Sequence, residues 1–333
     1  MTATAPRSPA RVNAVAPGPV ARFAAECTRL WPAGDVPGLK LGLAVSGGPD
    51  SLALLLLAAA ARPGGVEAAT VDHGLRPEAA AEAEMVAELC ARLGVPHRTL
   101  AVTLAPGNLQ DQARRARYDA LGEWARERGV PALATAHHAD DQAETVLMRL
   151  NRASGPAGLA GIRPRASWPS TGLTLLRPLL GWRKLELKAL VEGAGLTPAQ
   201  DPSNSDPRFD RARMREALAT ADWLDPAAIA RSASNLAEAE TALEWAARRE
   251  WDENVRVLEH GYGWRPSDVP RAIRIRMVQM GIEALSGEHA SATAAARLVD
   301  DLAAGGRGTL AGVLVDGGPD LWTFRREPPR RGT

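Results

Sequence analysis

Cysteine is scarce in this chain, because Cys27 and Cys90 are the only two among its 333 residues. Two thiols this far apart form neither a CxxC redox pair nor a zinc site. No apolar run is long enough to cross a bilayer, since the longest covers only residues 52–61. The amino-terminal segment also lacks the compact apolar stretch of a secretory signal. These absences favour a cytoplasmic protein that does not enter a membrane.

Lysine is scarce as well. Only Lys40, Lys184 and Lys188 contribute to the 40 basic residues, so the other 37 are arginines. Arginine contacts phosphate through paired hydrogen bonds and stacks on bases, which suits RNA binding. A compositional bias toward arginine and alanine over the whole chain explains the skew equally well. The net charge of +1 does not decide between the two explanations, because it gives no basic excess.

The order of strand-like and helix-like segments predicts the fold class. At 333 residues and 45% hydrophobic content, the chain is globular and long enough for two domains. From residue 39 onward, short β-rich runs alternate with helical stretches. The predicted strands are 39–45, 66–71, 97–104, 132–136 and 173–180. The alternation predicts an α/β fold with a doubly wound, mainly parallel five-stranded sheet. The strand carboxyl ends then meet at one edge, where such sheets bind ligands.

The sequence pattern changes near residue 218. Residues 226–259 form one long helical pattern rich in Ala, Glu and Arg, and two strand-like segments surround a glycine-containing turn close to the end of the chain. We therefore predict three parts. A flexible tail covers 1–20, an α/β domain covers 21–218, and a mainly helical domain that ends in a short β-hairpin covers 219–333.

A glycine pair lies between the first predicted strand and the next helix, in the string Ser46-Gly47-Gly48-Pro49-Asp50-Ser51. Adjacent glycines let the backbone approach a bulky anion, and the helix N-terminus directs unpaired N–H groups toward it. Ser46 and Ser51 add hydroxyl donors. The string is not a Walker A loop, because Gly48-Pro49 stands where that motif has Lys followed by Ser or Thr, and GxGxxG is absent too. Two glycines and a serine alone would also fit an ordinary strand-to-helix turn.

In this context SGGPDS resembles the SGGxDS pyrophosphate loop of the N-type ATP pyrophosphatases, whose fold is adenine-nucleotide α-hydrolase-like. Members of that superfamily split ATP between its α and β phosphates. The resemblance implies that residues 46–51 bind ATP. It also implies that Mg²⁺ offsets the charge of the pyrophosphate, with Asp50 placed to position the metal or the nucleotide.

Further motifs narrow the resemblance. They lie at 71–76, 113–118, 137–145, 177–180, 201–204 and 211–215. In this order and spacing the chain resembles the tRNA(Ile)-lysidine synthetases over about residues 41–216. The resemblance implies an ATP-dependent ligase that attaches L-lysine to C2 of the wobble cytidine in tRNA(Ile) with the anticodon CAU. The reaction passes through an adenylated cytidine and releases AMP and pyrophosphate. Ala153 and Ala212 stand where the family pattern has a glycine and an asparagine.

Two acidic residues are candidates for lysine binding. Asp141 and Glu144 stand three apart, on one face of a predicted helix, where they would hold the ammonium and accept its proton. Alternatively, Asp140 caps that helix while Asp141 and Glu144 complement its dipole. Asp72 and His137 lie at the ends of their predicted strands, at the same edge, so we assign both to ATP binding. The alternative for His137 is a satisfied, partly buried polar residue.

Arginines supply the remaining candidates. Arg114 and Arg117 share one helix face, and we expect Arg117 to contact phosphate or the adenylate during catalysis. A solvated surface pair is the simpler alternative. Arg211, Arg213 and Arg215 follow the 201–204 motif, where they would grip the tRNA backbone or, like Arg114, the activated intermediate.

Two other functions remain open on the sequence alone. A tRNA thiolation enzyme of the same superfamily also adenylates a base oxygen, but it usually relies on paired or clustered cysteines. A non-catalytic nucleotide- or RNA-binding module would keep the loop without needing an acidic pair beside it. The chain also leaves room for a homodimer, in which a second subunit helps to hold the tRNA.

Overall fold

The computed structural model of the chain describes residues 12, 14–72, 74, 78–102, 109–168, 170–199, 210–266 and 268–327. The 201–204 motif and most of the 71–76 motif beyond Asp72 therefore lie outside the described residues. The chain divides into two compact units. The first unit comprises residues 1–153 and 161–234, and the second comprises 154–160 and 235–333.

The first unit is built on a six-stranded sheet with the order β3-β2-β1-β4-β6-β5. Its strands are β1 (Leu41–Ala44), β2 (Val66–Asp72), β3 (His97–Ala101), β4 (Ala132–Ala134), β5 (Arg165–Ser167) and β6 (Thr174–Leu176). All neighbours pair in parallel except β5, which runs antiparallel to β6 at the edge. The α/β, mainly parallel fold is thus confirmed. The predicted count of five strands was wrong, because it omitted the short edge strand β5.

The helices of this unit connect the strands or cover the sheet. They are α1 (Pro17–Leu30), α2 (Pro49–Ala61), α3 (Glu78–Leu93), α4 (Leu109–Arg128), α5 (Ala139–Leu150), α7 (Lys184–Gly193) and α8 (Asp210–Thr220), while the short α6 (Pro156–Leu159) belongs to the second unit. Because α1 begins at Pro17, the predicted tail of residues 1–20 overlaps the start of a helix.

Helix α2 is the centre of the core of the first unit. Its leucines at 52, 54, 55 and 57 have no exposed surface, and they share one apolar cluster with β1 and with residues of α1 and α7. A helix that is apolar on all sides is buried in a large core rather than amphipathic. The run at 52–61 is therefore a buried helix whose N-terminus is fixed at the edge of the sheet. In the part of the chain that the structure describes, no helix is long and apolar enough to cross a membrane.

The second unit contains an antiparallel sheet with the order β7-β8-β11-β10-β9. Its strands are β7 (Arg256–Leu258), β8 (Gly261–Trp264), β9 (Arg307–Leu310), β10 (Val313–Gly317) and β11 (Trp322–Arg326), and its helices include α10 (Arg271–Ser286) and α11 (Ala292–Ala303). Helix α9 (Pro226–Asn254) ends five residues before the predicted limit, and β7 follows. The predicted hairpin is present as β10 and β11, but it belongs to a sheet of five strands.

Candidate active site

The loop at residues 46–51 joins β1 to α2. Gly47 has a φ of +87°, and a Cβ atom there would lie 3.3 Å from Met85 Cε, so this position requires glycine. Gly48 is the N-cap of α2, and Pro49 occupies the first turn, where its missing N–H is not needed. The N-terminus of α2 is therefore oriented toward the loop, as an anion-binding site requires.

Two serines have different roles in this loop. The buried Ser51 hydroxyl donates to the carbonyl of Gly48 at 2.9 Å and accepts from the backbone N–H of Ser46 at 3.1 Å. Ser51 therefore shapes the loop. The Ser46 side chain is exposed and lies 3.3 Å from Ser51 Oγ, so its hydroxyl can turn toward a ligand.

The loop opens into a cavity of about 660 Å³ at the carboxyl ends of the strands. Ten of the predicted site residues line it: Ser46, Gly48, Pro49, Asp50, Ser51, Arg117, His137, Asp141, Arg211 and Arg215. They come from four helices and two strand ends, which sequence distance alone does not bring together. The structure thus places the 46–51 loop, the Asp141 carboxylate and three arginines around one cavity.

Five predicted residues, all of them described, lie outside the lining of this cavity: Gly47, Asp72, Arg114, Glu144 and Arg213. The Asp72 carboxylate accepts a hydrogen bond from the N–H of Gly74 at 2.8 Å. The Arg114 guanidinium lies over the ring of Tyr118, 5.0 Å from its centroid. Arg213 forms an ion pair with Asp210 on the surface of α8.

His138 connects the 46–51 loop to Asp141. The sequence did not indicate this role. Its buried Nε2 lies 3.5 Å from Asp50 Oδ2 and 3.5 Å from Asp141 Oδ2. Its Nδ1 accepts the N–H of Asp141 at 3.3 Å in a capping box at the start of α5, which assigns the proton to Nε2. Burial lowers the pKa of His138, but the hydrogen bond with Asp50 and the charges of Asp141, Asp50 and Asp140 outweigh it and raise the pKa.

Asp140 borders this network, with its Oδ2 3.7 Å from His138 Nδ1, but its shorter contacts are with residues at the start of α7. Its carboxylate accepts the N–H of Lys184 at 2.8 Å and pairs with Arg183 at 3.2 Å, so it caps α7 rather than α5. Burial would raise the pKa of Asp140, but the bonds from Arg183 and Lys184 hold it below its ordinary value. The alternative that Asp140 caps α5 is therefore wrong, because His138 is the N-cap of that helix and the Asp141 carboxylate completes its capping box by accepting the N–H of His138 at 3.1 Å.

Glu144 is buried and already has arginine partners. Its Oε1 lies 2.8 Å from Arg215 Nε, and its Oε2 lies 3.6 Å from Arg211 Nε. Arg211 also donates to the hydroxyl of Thr145 at 3.2 Å. Although Glu144 does not line the cavity, it holds two of the arginines that do, and it thereby fixes α8 against α5.

His137 contributes a neutral ring to the cavity. Its Nδ1 lies 2.9 Å from the hydroxyl of Thr135. Burial and the nearby charges of Arg177, Arg114 and Arg211 lower the pKa of His137 to about 3. A neutral imidazole can accept or donate a hydrogen bond near a nucleotide without adding charge.

Neither cysteine is placed for sulfur transfer. Cys27 and Cys90 are buried, and burial raises the pKa of each thiol to about 12. Because the thiolate is the reactive form, neither residue is a nucleophile near neutral pH. Among the described residues, no group of three or more His, Cys, Asp or Glu could hold a metal ion.

The glycine-containing loop lies at the carboxyl edge of a parallel sheet, and the PP-loop domain family matches residues 22–221, so the chain is a member of the PP-loop class of ATP-using enzymes. The chain is 49% identical to the tRNA(Ile)-lysidine synthase of Novosphingobium aromaticivorans, over 94% of this chain and 95% of the relative. It is 45% identical to that of Zymomonas mobilis, over 88% and 90% respectively. The chain belongs to the tRNA(Ile)-lysidine synthase family, whose activity is a ligation that forms a carbon–nitrogen bond.

A solved structure of another tRNA-modifying enzyme has a similar fold. The U34-tRNA thiolase of Methanococcus maripaludis, solved with an iron–sulfur cluster, superposes with a TM-score of 0.52 over 66% of this chain and 79% of its own. Its sequence identity is 18%, so this likeness supports the fold alone.

Proposed function

We propose that the protein ligates lysine to C2 of the wobble cytidine in tRNA(Ile) with the anticodon CAU, in the cytoplasm. The cytidine oxygen first attacks the α-phosphorus of ATP, and pyrophosphate leaves. The ε-nitrogen of lysine then attacks C2, and the C2–O bond breaks to release AMP. One observation carries this proposal: the 46–51 loop, the Asp141 carboxylate and three arginines line a single cavity.

The first step needs stabilisation of the pyrophosphate that leaves. The backbone N–H groups at the start of α2 and the exposed hydroxyl of Ser46 can bind its oxygens. Arg117 and Arg211, from α4 and α8, can pair with phosphate oxygens as negative charge develops. The neutral ring of His137 lies at the same edge, where we propose a contact with the nucleotide.

The second step needs an uncharged amine. The Asp141 carboxylate can hold the lysine ammonium and take one proton from it as the carbon–nitrogen bond forms. We retain Glu144 as the second lysine contact, since it lies one helical turn further on. In that case the incoming ammonium must displace part of the ion pair between Glu144 and Arg215.

One atom of this site is suited to coordinate Mg²⁺. Asp50 Oδ1 is buried and has no hydrogen-bond partner among the described residues. Mg²⁺ is commonly bound by one or two carboxylates together with substrate phosphates, so Asp50 would hold it without a cage of protein ligands. The ion would neutralise charge on the phosphates of ATP.

We propose that residues 219–333 bind the tRNA and that a second copy of the chain contributes to this binding in a homodimer. Trp264 and Trp322 pack edge to face in the core of the second unit, so they are not available to bases. Trp245 is 63% exposed, and Arg249 lies over its ring at 5.8 Å. An exposed aromatic ring beside an arginine offers a surface on which an unstacked base can stack.

Mass spectrometry of the wobble nucleoside tests the reaction. The full chain is incubated with ATP, Mg²⁺, lysine and a tRNA(Ile) transcript that has the anticodon CAU, with omission of lysine as one control and the Asp141→Asn variant as another. We expect a lysine adduct that needs every component. A sulfur adduct would replace the proposal with thiolation. Nucleotide binding without any adduct would leave only a binding module.

A further inference from the structure

The PP-loop of this chain has no lysine, although the departing pyrophosphate carries several negative charges. Of the three lysines in the chain, Lys40 pairs with Glu67 at 2.5 Å and Lys188 lies 3.6 Å from Glu192. Within the described residues, the ammonium of Lys184 has no carboxylate at ion-pair distance. Among the described residues, Lys184 is thus the lysine whose ammonium forms no ion pair with a carboxylate.

Lys184 lines the same cavity as the loop. It is the first residue of α7, and its N–H donates to Asp140 at the start of α5. Leu187 and Val191 bury the next turns of α7 in the apolar cluster that contains α2. Lys184 is therefore fixed by two helices, one of which carries the loop and the other His138 and Asp141.

We infer that the ammonium of Lys184 binds the pyrophosphate portion of ATP. The inference rests on the proposed function, since it uses the same nucleotide site. Asp50 and Asp141 line this cavity and repel phosphate, so a further cation beside Arg117 and Arg211 strengthens phosphate binding. A lysine supplies a point charge with three donors on a flexible stem, which suits a group that must later leave. The lysine missing from the loop is thus supplied by a different helix.

Binding measurements on the full chain test this assignment. Calorimetry with ATP, pyrophosphate and AMP compares the original protein with Lys184→Met, Lys184→Arg and the matched control Lys188→Met. A lost charge-assisted phosphate contact weakens binding by about tenfold to a hundredfold. We expect that loss for pyrophosphate and ATP in Lys184→Met, little change for AMP, partial recovery in Lys184→Arg and no change in Lys188→Met.

An equal loss for AMP and pyrophosphate, or no loss for either, would overturn the role of Lys184 and leave the ATP site itself intact. If the original protein bound neither ATP nor pyrophosphate, the proposed function would fail together with this inference. An ATP derivative that acylates lysine from its terminal phosphate gives a second measurement on the unaltered chain. We expect modification of Lys184 that pyrophosphate prevents. Modification confined to Lys40 or Lys188 would contradict the assignment.

Discussion

Replacement of Glu144 by glutamine separates two roles for this residue. Glu144 is 2% exposed, and its carboxylate contacts Arg215 at 2.8 Å and Arg211 at 3.6 Å. Glutamine keeps the shape but removes the charge. We expect the variant to lose stability because the arginines lose their counter-charge, and to lose lysine-dependent turnover because the ammonium loses a partner.

The size of the stability loss follows from burial. Removal of one partner from a fully buried ion pair costs about 3–5 kcal/mol. The side chains of Arg215 and Arg211 are 34% and 50% exposed, so water screens the charges left behind. We therefore expect the free energy of unfolding to fall by about 1–3 kcal/mol. In a unit of this size each kcal/mol lowers Tm by about 2–4 °C.

The assay is a double-mutant cycle of Glu144→Gln and Arg215→Met. Urea unfolding gives the stability of each variant, and AMP release at saturating ATP gives its KM for lysine. If Glu144 contacts lysine directly, Glu144→Gln raises this KM both in the chain that keeps Arg215 and in the chain that carries Arg215→Met. The combined variant should recover part of the stability, because no unpaired arginine remains at position 215.

Two results would refute this reasoning. An unchanged free energy of unfolding in Glu144→Gln would mean that the ion pair with Arg215 does not contribute to stability. A KM for lysine that changes only in the chain that keeps Arg215 would mean that Glu144 acts by positioning the arginine and not by binding the substrate.

The other predictions concern acids, a histidine and the thiols. Asp141→Asn should raise the KM for lysine about tenfold or more at unchanged ATP affinity. Asp140→Asn should instead lower Tm by about 2–4 °C, because α7 loses a cap, and leave the KM for lysine unchanged. The reverse pattern would contradict the assignment of Asp141 to lysine binding. Because the pKa of His137 falls from 6.5 to about 3 on folding, the unfolded chain binds the additional proton between these values and stability decreases as the pH falls through 6.5. His137→Gln should therefore remove about 2 kcal/mol of the stability lost between pH 7 and 5, measured by urea unfolding. An identical loss in the variant would contradict a neutral His137 ring in the folded protein. Cys27 and Cys90 should resist alkylation in the folded protein at neutral pH, and alanine at either position should preserve ligation; loss of ligation by folded variants would favour sulfur chemistry.

The loop and the sheet could be predicted from the sequence because both depend on local patterns. Alternation of strand and helix predicts a parallel sheet, and adjacent glycines before an apolar helix predict an anion loop at its edge. The edge strand β5 escaped prediction because Arg165–Ser167 is short, polar and mostly exposed. Strand β8 escaped it because Gly261–Trp264 is rich in glycine, which disfavours strands in isolation.

Contacts between segments that are far apart in the chain could not be predicted from the sequence. Glu144 and Arg215 are 71 residues apart, and nothing in either motif indicates that they pair. His137 and His138 are adjacent residues of the same type, and the sequence does not indicate that it is His138 that contacts Asp50. Lys184 is 134 positions from Asp50 and enters the cavity only because α7 packs on α2. Side-chain direction and tertiary packing decide each of these cases.

A crystal structure of the protein with a slowly cleaved ATP analogue and magnesium tests the central claim most directly. The account predicts that the β and γ phosphates lie against residues 46–51, within hydrogen-bond distance of backbone N–H groups at the start of α2 and of the Ser46 hydroxyl. Phosphates bound outside this loop, or an adenine ring in their place, would contradict it.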